Sequence, residues 1–331
     1  MKQWQILQWG QLGESDFSAT HPASGQVRLK MRAVSLNFRD HLMLQGQYNP
    51  KQPLPLVPCS DGAGEVVEVG PEVTRWKLGD RVCPIFSQSW LGGPPSKERI
   101  SQTLGGPLDG TLRPEMVVHQ DSLVAIPSHL DWEEAACLPC AAVTAWNAIA
   151  DQPAGSRIVV QGTGGVSLFA LQLAKAAGME VLLTSSSDAK IERARALGAD
   201  YCVNYKETPE WSRAVRAWAR DGVDCVVEVG GAGTLEQSLR CLKPGGKIAM
   251  IGILAGAAKP LNVLPILMQQ LRVQGVLVGN RDDFEAMNRV LTRAQIRPVL
   301  DQRLPYAQAP QAWERLASGQ HFGKVAISGC W

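Results

Sequence analysis

The chain has 331 residues, 45% of them apolar and 19% charged, and 33 basic against 31 acidic side chains leave a formal net charge of +2. Those proportions describe a globular protein with room for two domains, and charges of both signs interspersed along the chain exclude a basic stripe for nucleic acid. No run approaches the ~18 apolar residues of a membrane-spanning helix, and Met1–Leu7 reads as a first strand without a leader's apolar core, so a cytoplasmic protein is expected.

From residue 1 to about 125 the pattern is one of β-type runs bounded by glycine and proline: Gln26–Val34, Gly64–Gly70 and Asp80–Ile85. That texture predicts an antiparallel, barrel-like domain. Between Ser87 and Gly110 glycine, proline and serine dominate, which reads as a long loop; Trp90 and Leu91 within it are candidates for a substrate pocket.

Eight cysteines stand at positions 59, 83, 137, 140, 202, 225, 241 and 330, mostly inside apolar runs, as reduced buried thiols do in a cytosolic protein. Cys137-Leu138-Pro139-Cys140 has redox or zinc spacing, but no second pair and no histidine cluster accompanies it.

The most informative stretch is Val159–Ala174, an apolar strand, a glycine turn and a helix of period 3.6 in one run. Gly162 permits the tight turn, and Gly164, with Gly165 and Val166 behind it, lets backbone N–H groups approach a pyrophosphate at a helix N-terminus. Ser167 stands where the fingerprint has its third glycine. A dinucleotide site is the reading, because strand and helix flank the turn as the mechanism requires.

About 20 residues further on, a chain built for NAD carries an acid for the ribose 2′-hydroxyl. Here the second strand ends Thr184-Ser185-Ser186-Ser187, with Lys190 and Arg193 in the helix that follows. Hydroxyls and a cation suit a 2′-phosphate, so NADP(H) is favoured over NAD(H); Arg193 reads equally well as a solvated helix face. Tyr201–Tyr205, Val223–Gly230, Lys247–Gly252 and Arg272–Gly279 then alternate with helix-like stretches, predicting a doubly wound parallel sheet. Three of these runs end in Gly230, Gly252 and Gly279: close approach to a cofactor explains them together, and ordinary turns explain each singly. As the last strand, Leu271–Gly279 presents an apolar edge, which predicts a homodimer.

The order of motifs resembles the medium-chain dehydrogenase/reductase superfamily over essentially the whole chain, in its zinc-independent quinone oxidoreductase-like and alcohol dehydrogenase-like branch. Val34–Asp40, Pro58–Val66, Gly79–Val82, Leu138–Trp146, the glycine turn, Leu197–Asp200 and His321–Val325 carry the resemblance. It implies an α/β architecture in which a Rossmann doubly wound parallel sheet (residues 127–282) is inserted in a GroES-like antiparallel β-barrel catalytic domain (1–126 and 283–331).

For the site, the resemblance implies Asn37, Tyr48 and Thr144 around the nicotinamide, with the Tyr48 phenol as donor or proton relay. Arg39 and Asp40 are expected to form an ion pair, and Asp61 to cap nearby backbone or serve as an acid. For the cofactor it adds Ser185, Lys190 and Tyr205 at the adenosine 2′-phosphate, Val229, Ile251, Leu254 and Val278 along the adenine and nicotinamide halves, and Lys324 closing over the molecule. No zinc is expected, because Asn37 and Ser60-Asp61 replace the first two ligands of zinc-using relatives and only Cys140 remains. Pro114-Glu115-Met116 stands where relatives carry an aromatic. Without a Lewis acid, hydride transfer to a conjugated carbonyl, a quinone or an α,β-unsaturated ketone, is the favoured reaction. A zinc-free alcohol dehydrogenase or carbonyl reductase and a non-catalytic NADPH-binding protein are the alternatives.

Overall fold

A computed structural model describes residues 1–329; Cys330, the last of the cysteines, lies outside the described residues. The chain divides into two compact units, Met1–Val143 with Val278 to the C-terminus, and Thr144–Leu277.

In the first unit, β1 (Lys2–Gln8) and β2 (Gln11–Asp16) form a separate hairpin, and β3 (Gln26–Ser35) follows. β3 shows why this half is antiparallel: Val27, Leu29, Met31 and Ala33 are buried while Gln26, Arg28, Lys30 and Arg32 between them are half-buried, a period of two. Then come α1 (Phe38–Leu44), β4 (Asp61–Val69), β5 (Arg81–Pro84), α2 (Lys97–Ser101), β6 (Glu115–His119), β7 (Leu123–Ala125) and α3 (Trp132–Ala136), with a π-helical turn at Leu138–Ala142. The stretch 127–143, which the sequence suggested opens the dinucleotide domain, falls in this unit, and α3 packs on β3 and β4.

The second unit opens on α4 (Val143–Ile149) and continues with β8 (Arg157–Gln161), α5 (Gly165–Ala176), β9 (Glu180–Ser185), α6 (Asp188–Ala196), β10 (Tyr201–Asn204), α7 (Trp211–Trp218), β11 (Val223–Glu228), α8 (Leu235–Cys241), β12 (Leu242–Met250), α9 (Leu264–Met268) and β13 (Arg272–Gly275). Its six strands run parallel in the order β10-β9-β8-β11-β12-β13. That is the doubly wound Rossmann order, with the reversal between β8 and β11, where ligands bind beyond the carboxyl ends of the strands. Strands buried on both faces read as continuous apolar runs, as Ile158-Val159-Val160 does. β13 is shorter than the run Arg272–Gly279 suggested: the backbone turns left-handed at Val278 (φ 54°), a conformation that a β-branched residue seldom adopts.

The chain then returns to the first unit with α10 (Arg281–Ala294), β14 (Leu300–Pro305), α11 (Ala309–Ala317) and β15 (Lys324–Ser328). The large sheet there runs β14-β15-β3-β4-β5-β7, with β6 also paired to β3, so both chain ends build it. One core cluster joins Trp4, Ile6, Val34 and Leu36 to Trp313, Val325 and Ile327.

The Ser87–Gly110 segment is largely irregular, as the sequence suggested, with one short helix set into it. It holds α2, capped by the Ser96 hydroxyl, which accepts from the Arg99 N–H at 3.3 Å, and Ser87 bridges to Thr103. Its Trp90 is buried, donating from Nε1 to the Gly93 carbonyl at 2.9 Å, while the Trp90 and Leu91 carbonyls accept from the N–H groups of Arg281 and Asp282.

Candidate active site

Three neighbouring strands of the first unit bring one cluster together. Antiparallel pairing sets Asp61 of β4 and Ala326 of β15 opposite Ser35 of β3, and the Leu36 N–H donates to the Val325 carbonyl at 3.0 Å. Asn37, Ser60-Asp61 and Lys324 therefore meet at one end of the sheet, although residues 37 and 324 lie 287 apart in the chain. Asn37 starts α1 from an extended backbone (φ −122°, ψ 157°), and its N–H donates to Asp40 Oδ2 at 2.8 Å.

The side chains close a ring. Lys324 Nζ donates to Asn37 Oδ1 and to the Leu36 carbonyl, both at 2.6 Å, and lies 3.6 Å from Asp61 Oδ2. Asn37 Nδ2 donates to Ser60 Oγ at 3.4 Å, and Ser60 Oγ donates to Asp61 Oδ1 at 2.9 Å. Ser60, Asp61 and Lys324 are buried, and Asn37 alone is half-buried. Asp61 Oδ2 and Asp40 Oδ1 have no hydrogen-bond partner. Burial pushes the Asp40 carboxyl up to about 6 against the pull of Arg39, and pushes Asp61 up against the pull of Lys324.

Arg39 and Asp40 do form the expected contact, at 3.7 Å. The Arg39 guanidinium also donates to the carbonyls of Leu104 (2.8 Å) and Gly106 (3.2 Å), and it lies 4.9 Å from the ring centroids of both Tyr48 and Phe86. Tyr48 is 44% exposed, and its ring packs against this cation. Asp61, wholly buried, accepts hydrogen bonds from the Asn37 side chain, the Ser60 hydroxyl and the Cys140 backbone N–H, the structural role the sequence allowed for.

Lys324, expected to close over a cofactor, has a side chain only 3% exposed, with its ammonium donating to the Leu36 carbonyl and the Asn37 amide of the first unit.

The residues at the zinc positions do not fit that metal. A catalytic zinc takes three anionic or imidazole ligands and binds sulfur as thiolate. Here Asn37 Oδ1 already accepts from an ammonium, Ser60 donates to Asp61, and burial pushes the Cys140 thiol well above its ordinary value. Among the described residues no group of three His, Cys, Asp or Glu side chains is arranged to hold a metal ion. Burial likewise pushes Cys137 up to about 12, and its Sγ donates to the Glu133 carbonyl at 3.2 Å, which gives the Cys137/Cys140 pair no reactive thiolate.

In the second unit the glycine turn is built as a dinucleotide needs. Gly162 adopts φ 75°, and Gly164 caps α5 from an extended backbone with no side chain over the helix N-terminus. A Cβ built on Gly164 would meet nothing within 4 Å, so the space before the N–H groups of Gly165 and Val166 is open. Ser167 replaces the third glycine without loss: its hydroxyl donates to the Gln161 carbonyl at 2.6 Å and locks helix to strand.

Parallel pairing of β10 with β9 puts Asn204 beside Ser185, and the Tyr205 N–H donates to the Ser185 carbonyl at 2.9 Å. Lys190 lies in the first turn of α6, which the Ser187 hydroxyl caps. Ser185 is buried and Tyr205 exposed. Val229, Ile251 and Leu254 gather beyond β11 and β12, where the Leu254 N–H donates to the Val229 carbonyl at 3.1 Å and the Ile251 N–H to Glu228 at 2.9 Å. Thr144 is buried at the start of this unit, whereas Val278 belongs to the first.

One group escaped the sequence reading. Glu228, fully buried at the end of β11, accepts at Oε1 from the N–H groups of Gly230 (2.8 Å) and Gly231 (2.9 Å) and from Thr234 Oγ1 (2.6 Å). At Oε2 it accepts from Gln161 Nε2 (2.7 Å) and from Ser238 Oγ. It ties the ends of β8 and β11 across the point of strand reversal. The signal was an acid closing an otherwise apolar strand, Val226-Val227-Glu228.

Comparisons with known proteins agree with the fold. Residues 23–128 match the alcohol dehydrogenase GroES-like domain family, and residues 165–293 the family described as zinc-binding dehydrogenase. A "zinc-type alcohol dehydrogenase-like protein" of Schizosaccharomyces pombe is 41% identical, covering 92% of this chain and 90% of its own. A quinone oxidoreductase of Pseudomonas aeruginosa is 32% identical, covering 94% of each. The crystal structure of a putative alcohol dehydrogenase from Sinorhizobium meliloti superposes with a TM-score of 0.93 at 39% identity, covering 99% of this chain and 98% of its own. Fold and motifs thus define a two-domain dehydrogenase. The chain belongs to the medium-chain dehydrogenase/reductase superfamily, whose members are NAD(P)H-dependent oxidoreductases.

Proposed function

We infer that this chain is a zinc-independent, NADP(H)-dependent reductase of conjugated carbonyls, quinones or α,β-unsaturated ketones. The observation that carries the reading is the Lys324–Asn37–Ser60–Asp61 ring, a hydrogen-bonding cluster where a metal-using relative needs ligands. The nicotinamide supplies a hydride. The protein's task is then to meet the negative charge that develops on the substrate oxygen, for which Asn37 and Tyr48 supply N–H and O–H donors. A conjugated acceptor disperses that charge itself, which is why this donor set favours it. Ser185, Lys190 and Tyr205, with no acid at the end of β9, support a 2′-phosphate and hence NADP(H).

A second reading, a zinc-free alcohol dehydrogenase or carbonyl reductase, is favoured by the 41% identity to an alcohol dehydrogenase-like relative. Fluorescence titration with NADPH and NADH, followed by 1,4-benzoquinone, cyclohexenone, an aldehyde and a secondary alcohol, tests both. We expect at least tenfold tighter NADPH binding, worth about 1.4 kcal/mol, and oxidation by the quinone or enone that a chelator does not slow. Tighter NADH binding would remove the 2′-phosphate assignment, and turnover confined to aldehyde and alcohol would select the second reading.

The active form in this reading is a homodimer in a cytoplasmic setting. β13 is an exposed sheet edge, with Val273 44% exposed and Leu267 and Met268 of the preceding helix more so. Sedimentation should give a dimer at micromolar concentration and a monomer for Val273→Lys. A wild type that sediments as a monomer removes this proposal. Among the described residues no helix is long and apolar enough to cross a membrane.

A further inference from the structure

The direction in which Lys324 is aimed carries an inference beyond the reaction class. A buried ammonium is strongly disfavoured unless it is paired, and the carboxylate of Asp61 is beside it. Were the lysine there only to neutralise Asp61, its shortest bond would go to that carboxylate. It goes instead to Asn37 Oδ1 and the Leu36 carbonyl, both at 2.6 Å, while Asp61 Oδ2 stands 3.6 Å off and accepts no hydrogen bond.

We propose that Lys324 is a positioning residue that orients and polarises the Asn37 amide, so that its buried positive charge reaches the substrate oxygen through the Asn37 N–H.

Three physical consequences follow from that contact. An amide flipped about its last torsion would turn its NH2 group against the ammonium, so Lys324 decides which edge of Asn37 faces inward. Positive charge on Oδ1 withdraws electron density from the amide nitrogen, and both N–H groups become stronger donors, as linked hydrogen bonds do. Ser60 takes an Asn37 N–H at 3.4 Å, a long bond, and Asp61 also draws a hydrogen bond from the Asn37 side chain, so an incoming carbonyl oxygen takes the place of one of these two partners. Asn37 is also the one member of the ring that is not fully buried. The ring thus places a fixed cation one amide away from the reacting oxygen, in chemistry that the zinc-position residues cannot supply with a metal.

The inference rests on the reductase reading, and its test is arranged so that the two fail separately. Lys324→Met, Lys324→Arg and the double substitution Lys324→Met/Asp61→Asn are compared with the wild type in kcat, carbonyl KM and NADPH Kd, on whichever carbonyl the wild type reduces. Lys324→Met should lower kcat about thirtyfold, less than the hundredfold or more that removing an oxyanion donor itself costs, with NADPH Kd unchanged within twofold. Lys324→Arg, which keeps a charge beside the amide, should recover several-fold of that loss. The double variant leaves no uncompensated charge in the core and so folds even if the single one does not; its kcat should stay as low as that of Lys324→Met. A double variant restored to near wild-type kcat would overturn the proposal, showing that the lysine only balances Asp61. A tenfold weaker NADPH Kd with kcat intact would also overturn it, making Lys324 a cofactor ligand. A wild type that reduces aldehydes and not enones overturns the substrate class alone, since the same variants are then read on the aldehyde.

Discussion

Replacing Glu228 by alanine should destabilise the second unit by about 4 kcal/mol and weaken dinucleotide binding with it. The carboxyl group accepts five hydrogen bonds in a fully buried position. Alanine leaves five donors facing a cavity, and each buried donor left unsatisfied costs about 1–3 kcal/mol before relaxation. Partial repair by water and by Gln161 turning brings the sum down to that figure. Glu228→Gln separates the two oxygens. Its amide oxygen still serves Gly230, Gly231 and Thr234, but its NH2 faces the Gln161 Nε2 donor, so about 2 kcal/mol should be lost. Denaturant unfolding followed by tryptophan fluorescence reads both, since Trp211 packs in the core of this unit. An alanine variant within 1 kcal/mol of the wild type would mean that the turn at Gly230-Gly231 does not depend on Glu228.

Gly164→Val should weaken NADPH binding by about a hundredfold, near 2.7 kcal/mol, while leaving the fold stable within about 1 kcal/mol. The backbone at Gly164 is extended (φ −79°, ψ −176°), which any residue can adopt, and a Cβ there meets no protein atom within 4 Å. No folding requirement for glycine is visible at this position; the requirement comes from what approaches the helix N-terminus. Gly162 is the opposite case: its φ of 75° makes an alanine cost about 1–2 kcal/mol in backbone strain, although its Cβ would touch only Ser167 Oγ at 3.8 Å. Isothermal titration paired with thermal melts distinguishes the two. Unchanged NADPH affinity in Gly164→Val would mean that the pyrophosphate does not lie against this turn.

These two glycines also mark what a sequence can reveal. The turn at Gly162–Gly164 was legible because strand, turn and helix are consecutive, so local spacing carries the geometry. The alternation on β3 and the apolar runs of β8 and β11 gave the two architectures for the same reason. The Lys324–Asn37 contact was not legible, because strand pairing alone brings those residues together, and a lysine in Gly323-Lys324-Val325 looks the same whether it points outward or inward. Glu228 was hidden differently: its five partners lie on β8, on the turn after β11 and on α8, and none announces itself without the sheet order. In the Ser87–Gly110 segment glycine and proline rightly suggested a largely irregular stretch, but gave no sign of the short helix that Ser96 caps or of the burial of Trp90.

The first unit's sheet places β15 beside β3, and this has a consequence for how the protein is made. During synthesis the strand Gln26–Ser35 emerges well before its neighbour Lys324–Ser328, with nearly 290 residues between them. At ~5–20 residues per second the delay is roughly 15–60 seconds. Throughout that interval Val34 and Leu36 lack their lasting cover, and the Leu36 carbonyl and Asn37 Oδ1 lack their cation. The inserted unit has all six of its strands between residues 157 and 275, so it can complete its sheet while the N-terminal segment waits. A nascent chain of this design exposes a half-built barrel edge until β15 arrives, and that edge is where a holdase chaperone would find it.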